Sequence, residues 1–214
     1  MQAMAYDIEQ QESLSALRAW FEENANLLIG VLLVAVAAAA GSWGWRWYQQ
    51  REATASALLF DQYEQALSAK DTAKARELAA ALMQQHGSSA YAKFAALTQA
   101  RAGIEAGDAT AAKAQLQYVI DKSGDAELSV LARVRLAGVL LDEKAYDQGL
   151  ALLPADAPAA LAAVVSDRRG DLLLAQGKAA EARAAYAKAL EQAGAQDPLR
   201  PMIQSKLDAL PAAG

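Results

Sequence analysis

The 214-residue chain has no cysteine and a single histidine, so disulfides, thiolate nucleophiles and sulfur-ligated metal sites are excluded. Proline is absent before Pro154, and all five prolines lie in the last third, so nothing of that kind interrupts a helix from Met1 to Leu153. No basic stripe is present. The formal charge is −5, and five acids against Arg18 place −4 of it before Asn24, leaving a near-neutral remainder unlike a nucleic-acid binder. Glycine-rich phosphate loops and G-x-S-x-G elbows are missing as well. His86, beside Gly87, has no second histidine and reads as a helix-terminal residue, not a ligand. The chain is expected to be no enzyme, and no catalytic residue, cofactor or metal is assigned.

What is abundant is alanine, which loses almost no side-chain entropy on becoming helical. Hydrophobic residues make up 54% of the chain and charged residues 21%, which suits an apolar segment joined to a soluble one. From Asn24 to Trp45 no residue is charged. As a helix this stretch reaches roughly 33 Å, enough to cross a bilayer core. Trp43, Trp45, Trp47 and Tyr48 follow around Arg46, in the manner of an interfacial belt. A cleaved signal peptide would need a short basic leader, and this leader is long and acidic. Arg18 on one side and Arg46 and Arg51 on the other leave orientation undecided by charge. Ala37-xxx-Gly41 and Ala40-xxx-Gly44 have the spacing of helix-packing faces, although chance accounts for it in so alanine-rich a stretch. Ser13 is placed to cap a short helix carrying Leu14, Leu17, Trp20 and Phe21, or that stretch simply extends the span.

Beyond Gln49 the pattern is paired helices. Ala75, Ala112, Gly149 and Ala182 recur at intervals of 37, 37 and 33 residues, near the tetratricopeptide period. In the clearest unit, Asp167–Gln192, Gly170 is the small residue where two helices cross and Gly177 ends the first helix. Ala182, Tyr186, Ala189 and Leu190 form the core face of the second. Turns are expected at Ala69-Lys70-Asp71 and Ala106-Gly107-Asp108, and Tyr146 begins another second helix. Pro198–Leu210 reads as a capping helix with Met202, Ile203 and Leu207 on one face. Asp167 and Asp171, with Arg168 and Arg169 between them, read as a solvated charged face rather than a catalytic carboxylate pair.

The expected fold is therefore all-α, an N-terminal transmembrane helix followed by a tetratricopeptide-like solenoid with a C-terminal cap. The expected divisions are an N-terminal segment 1–23, a span with its aromatic belt 24–48, and a repeat domain 49–214. First helices of such arrays line a concave face, and their exposed positions, counted from the alignment, are Phe60, Glu64, Leu97, Arg101, Val134, Leu141, Asp167 and Asp171.

The order of parts resembles a known family. An acidic tail, Leu17-Arg-Ala-Trp-Phe-Glu-Glu-Asn24, an Ala/Gly-rich span, Gly44-Trp-Arg-Trp-Tyr48 and Val164-Val-Ser-Asp-Arg-Arg-Gly-Asp171 are similar to the YfgM family, ancillary subunits of the bacterial SecYEG translocon. The resemblance covers nearly the whole chain. It implies an inner-membrane protein with a cytoplasmic N-terminus and a periplasmic repeat domain. It also implies the translocon and the membrane-anchored chaperone PpiD as partners, and a role in passing translocated polypeptides to periplasmic chaperones. It carries no catalytic residues. The alternatives are a membrane-tethered scaffold for another envelope complex and, more remotely, a membrane-bound hydrolase.

Overall fold

The structure is a computed structural model that describes residues 2–210, with side chains described for Leu14 and from Leu17 onward. Among these residues there are nine α-helices and no strand. They are α1 (Gln2–Ser68), α2 (Thr72–Gln85), α3 (Ala90–Glu105), α4 (Ala109–Lys122), α5 (Ala126–Asp142), α6 (Tyr146–Leu152), α7 (Ala159–Ala175), α8 (Ala179–Gln192) and α9 (Arg200–Asp208). The chain divides into two compact units, Met1–Ala53 and Thr54–Gly214.

The first unit is helical throughout its described residues. Ser13 lies inside α1, so no separate short helix begins there; Glu9, Gln10, Gln11 and Glu12 before it and Leu14, Ala16 and Leu17 after it are all good helix formers, so the helix runs through. A window of mean hydropathy 2.1 within Leu17–Ser68 makes this the one described helix long and apolar enough to cross a membrane. Most of its large apolar side chains are open, from Ile29 at 54% exposed to Val34 at 71%, which in water would be a large unfavourable apolar surface. Polar side chains within and beside the apolar stretch bond to their own helix. Asn24 Nδ2 donates to Trp20 O at 2.8 Å, and Ser42 Oγ donates to Ala39 O at 2.8 Å. That self-satisfaction is what a hydrocarbon surrounding demands. Added Cβ atoms at Gly30, Gly41 and Gly44 would meet nothing within 4 Å, so their faces are open. The Arg51 guanidinium lies 4.2 Å from the Trp47 ring centroid.

The second unit is a solenoid of helix pairs: the end of α1 with α2, α3 with α4, α5 with α6, and α7 with α8, closed by α9. Each pair turns in the same way. Lys70, Gly107, Lys144 and Gly177 all have positive φ (58°, 74°, 61° and 79°) and stand 37, 37 and 33 residues apart. The backbone bonds repeat too: Lys70 N donates to Leu67 O and Asp71 N to Ala66 O, and the same pair recurs as Gly107–Ile104 and Asp108–Gly103. Lys144–Leu141 with Ala145–Leu140, and Gly177–Leu174 with Lys178–Leu173, complete the set. These bonds satisfy carbonyls orphaned at each first helix's end. Glycine takes the left-handed slot cheaply at 107 and 177; lysine carries a steric cost there at 70 and 144. Asp71 and Asp108 then cap α2 and α4, accepting from Lys74 N at 3.0 Å and Ala111 N at 2.9 Å. Ala145 and Lys178, in the same place, supply no side-chain cap.

Apolar faces are buried at the junctions between pairs. Tyr63, Ala75, Leu82 and Ala95 pack α1, α2 and α3 together. Leu97, Leu116, Val119 and Leu136 join α3, α4 and α5, while Val134, Ala137, Val165 and Leu172 join α5 to α7. Leu173, Ala182, Tyr186, Ala189 and Ile203 seal α7, α8 and α9. Stability is thus distributed between nearest neighbours along the array. The four aligned small residues are buried, as their spacing implies. An added Cβ at Gly149 would lie 2.8 Å from a Leu172 methyl, and one at Gly170 would lie 2.5 Å from the Tyr186 ring. The third pair departs from the pattern. Its second helix, α6, has seven residues, and the chain then runs through Pro154 and Pro158 to α7. Arg169 holds that connection by donating to Leu153 O and Pro154 O at 3.1 and 3.2 Å.

Candidate functional site

The first helices α3, α5 and α7 lie side by side and present a common face. Where their N-terminal halves meet is an apolar hollow of about 340 Å³, lined chiefly by Phe94, Leu128, Leu131 and Leu161, with Lys93, Asp125 and Glu127 at its edge. Phe94 is 48% exposed, unusual for a large aromatic with an apolar hollow beside it. Ser89 and Asp125 fix the two helix starts that frame it, accepting from Ala92 N at 3.1 Å and Leu128 N at 3.0 Å. Lys93 Nζ is tied to Ser88 O at 2.9 Å.

The eight positions expected on an exposed groove divide by depth. Leu97, Val134 and Asp167 occupy the same place in successive first helices and are buried, at 7%, 4% and 7% exposed. They are wedged against the neighbouring helix and do not form surface. Leu141 is half-buried against the α5–α7 junction. Phe60 is half-buried, its ring 5.7 Å from that of Tyr63 and 5.0 Å from that of Tyr91. Glu64 and Arg101 are exposed, and Arg101 Nε donates to Glu105 Oε1 at 2.8 Å. Asp171 is half-buried.

Asp167 and Asp171 are not a solvated face. Lys206, reaching over from α9, donates to both Asp167 carboxylate oxygens at 2.8 and 2.9 Å and to Asp171 Oδ1 at 2.7 Å. Tyr186 Oη donates to Asp171 Oδ1 at 2.8 Å, and Arg168 Nη1 to Asp171 Oδ2 at 3.2 Å. Burial raises the Asp167 pKa above the usual carboxylate range, against the Lys206 hydrogen bond, and the neighbouring Asp171 charge adds to the rise. Burial also pushes the Tyr186 phenol well up, helped by its bond to Asp171. The cluster therefore locks the cap to the last pair, and each of its acids already has a cation. Met202, expected on the apolar face of α9, is 44% exposed; Ile203 and Leu210 do the sealing instead. Among the described residues no group of three or more His, Cys, Asp or Glu could hold a metal ion.

A model of a tetratricopeptide repeat-like domain family matches residues 18–212. A Neisseria gonorrhoeae protein named ancillary SecYEG translocon subunit is 30% identical over 211 residues, 97% of this chain and 100% of that protein. One of the same name from Aggregatibacter actinomycetemcomitans is 30% identical over 97% of this chain and 100% of its own length. The chain belongs to the YfgM family of ancillary SecYEG translocon subunits. The Escherichia coli K12 member is 26% identical, covering 94% of this chain and 96% of its own. No solved structure matches the chain. Within the family's fold, the hollow at Phe94, Leu128, Leu131 and Leu161 is what residue reading did not find. A signal was present: Phe94 and Leu131 are 37 residues apart, and Leu128 and Leu161 are 33 apart, the same intervals as the turns.

Proposed function

We propose that this chain is a non-enzymatic, single-pass inner-membrane subunit that associates with the SecYEG translocon and presents its first-helix face to polypeptides. Residues 24–48 form the span and its aromatic belt, 1–23 lie in the cytoplasm, and 49–214 form the periplasmic repeat domain. Polypeptides leaving the translocon are passed on to periplasmic chaperones, with the membrane-anchored PpiD as partner. The observation that supports this reading is the apolar hollow across α3, α5 and α7, a shape that seats a large apolar side chain of an extended or amphipathic segment. The relatives' names supply the translocon, and the open apolar helix supplies the membrane. Anchoring matters because confinement near the exit raises effective concentration, commonly by about 10²–10⁴-fold in avidity, without adding any contact.

The test is a photo-crosslinking residue placed at Phe94 in intact cells, compared with one at exposed Gln117 on α4. Adducts with translocating polypeptides are expected from position 94 and not from 117. Equal labelling from both, or none from 94, defeats the groove assignment. Protease added to spheroplasts should digest the repeat domain; its protection would refute the periplasmic placement.

A further inference from the structure

The chemistry of the groove's occupant can be narrowed, on the assumption that the first-helix face is where polypeptides dock. One helical turn below the hollow the surface becomes basic. Arg135 follows Leu131 by four residues and Leu128 by seven, so it lies on the same stripe of α5, about 6 Å further along. Arg101 follows Phe94 by seven residues on the same stripe of α3, about 10 Å along. The Arg101 charge is close enough to act on the Arg135 guanidinium. Packing around Arg135 lowers its pKa first, and the charge of Arg101 lowers it further.

Arg101 has Glu105, and Arg168 has Asp171. Arg135 is exposed, and among the described residues no carboxylate pairs with it. Its helix neighbour one turn on is Gly138, where the added Cβ would lie 3.4 Å from the Arg168 guanidinium carbon, so a third cation borders the same strip. The acids nearest the hollow, Asp125 and Glu127, stand at its opposite end. The Asp125 carboxylate is engaged in capping α5. Lys93 shares that end but is tied to Ser88 O, so an apolar seat with Arg135 lacking a carboxylate partner on one side and Glu127 on the other is a directional template.

We infer that the groove selects segments in which a large apolar residue is accompanied, within about one helical turn, by a carboxylate that neutralises Arg135. The acid stands on the α3–α5 arginine side, and a base is tolerated only at the Asp125–Glu127 end. An exposed pair of this kind contributes up to about 1 kcal/mol, or roughly fivefold in affinity.

The test uses the full chain in detergent micelles and a pool of short randomised peptides, with enriched sequences read out and a representative acidic peptide resynthesised. The wild type should enrich Asp or Glu beside Phe, Leu or Trp. Arg135→Glu, an exposed substitution, should switch that preference to Lys or Arg and weaken the resynthesised peptide about fivefold or more. Phe94→Ser should reduce enrichment of apolar residues in both backgrounds. Apolar enrichment that depends on Phe94 but shows no charge preference, and is unmoved by Arg135→Glu, overturns the inference and leaves the groove reading standing. No enrichment of any kind overturns both.

Discussion

Replacing Lys206 with methionine keeps most of the side-chain stem and removes only the cation. The ammonium makes three contacts of 2.7–2.9 Å to Asp167 and Asp171, whose side chains are 10% and 15% exposed, while Lys206 itself is 28% exposed. Breaking a fully buried ion pair from one side costs about 3–5 kcal/mol, whereas an exposed pair is worth about 1 kcal/mol or less. Partial exposure here, and the bonds that Arg168 and Tyr186 keep on Asp171, place the expected loss between these, at about 2–3 kcal/mol. In a chain of this size that is a fall of roughly 5–10 °C in melting temperature. The pH dependence follows from the raised Asp167 pKa. A carboxyl group raised above its unfolded value favours the proton-bound fold, so its stabilising share is complete below the unfolded pKa and is lost as pH rises through the folded one. Without Lys206 the opposing hydrogen bond is gone and the rise is larger. The deficit of Lys206→Met should therefore shrink on acidification from neutral pH toward the carboxylate range, and Asp167→Asn in the same background should recover part of it at neutral pH. Thermal unfolding of the full chain in mild detergent gives the stability, and hydrogen exchange of α8 and α9 amides locates it. A loss below about 0.5 kcal/mol, the ordinary range for surface substitutions, would refute the lock. So would a deficit that stays constant with pH.

Two further outcomes follow from the repeat geometry. Gly170→Ala should lower stability although alanine is the better helix former: overpacking against the Tyr186 ring costs about 1–3 kcal/mol and the propensity gain is about 1. A Gly170→Ala, Tyr186→Leu cycle should then show strong coupling, and additive losses would mean that the ring yields freely. Lys178→Asp should stabilise by about 1 kcal/mol, because it supplies to α8 the cap that Asp71 and Asp108 give α2 and α4; unchanged unfolding would show that the turn geometry does not transfer.

Much of this architecture is readable from residues that answer to chain neighbours. Gly177 and Gly107 mark left-handed turns, and Asp71 and Asp108 are capping residues by type, so two turns and two helix starts follow from local chemistry. Lys70 and Lys144 carry no such signal. Their left-handed φ is imposed by the repeating bonds around them, and only the 37-residue interval points to it. Burial at Leu97, Val134 and Asp167 depends on a different neighbour, the first helix of the next pair or, for Asp167, the cap. For the two apolar residues, periodicity within one helix cannot say whether that side meets protein or water. For Asp167 residue type actively misleads, since an acid between two arginines suits a wet surface. Its partner is Lys206, 39 residues away on a helix whose apolar face, Ile203 and Leu207, is set by packing against α7 and α8.

Recognition can sit only at positions that the packing between first helices leaves unfilled. Positions facing the next first helix are consumed by the array, so variation at Leu97 or Val134 acts on folding before it acts on any partner. Positions one turn earlier, Phe94 and Leu131, border a hollow that the array itself does not fill. A residue at that register gains little from the fold when it is apolar and exposed, and Phe94 at 48% exposure is such a residue. Array stability gives no reason for an aromatic there, because a smaller or polar side chain would leave the α3–α5 core of Leu97, Leu136 and Leu140 intact. Its apolar area is therefore available to a partner, and substitutions at Phe94 should separate binding from stability in a way that substitutions at Leu97 cannot.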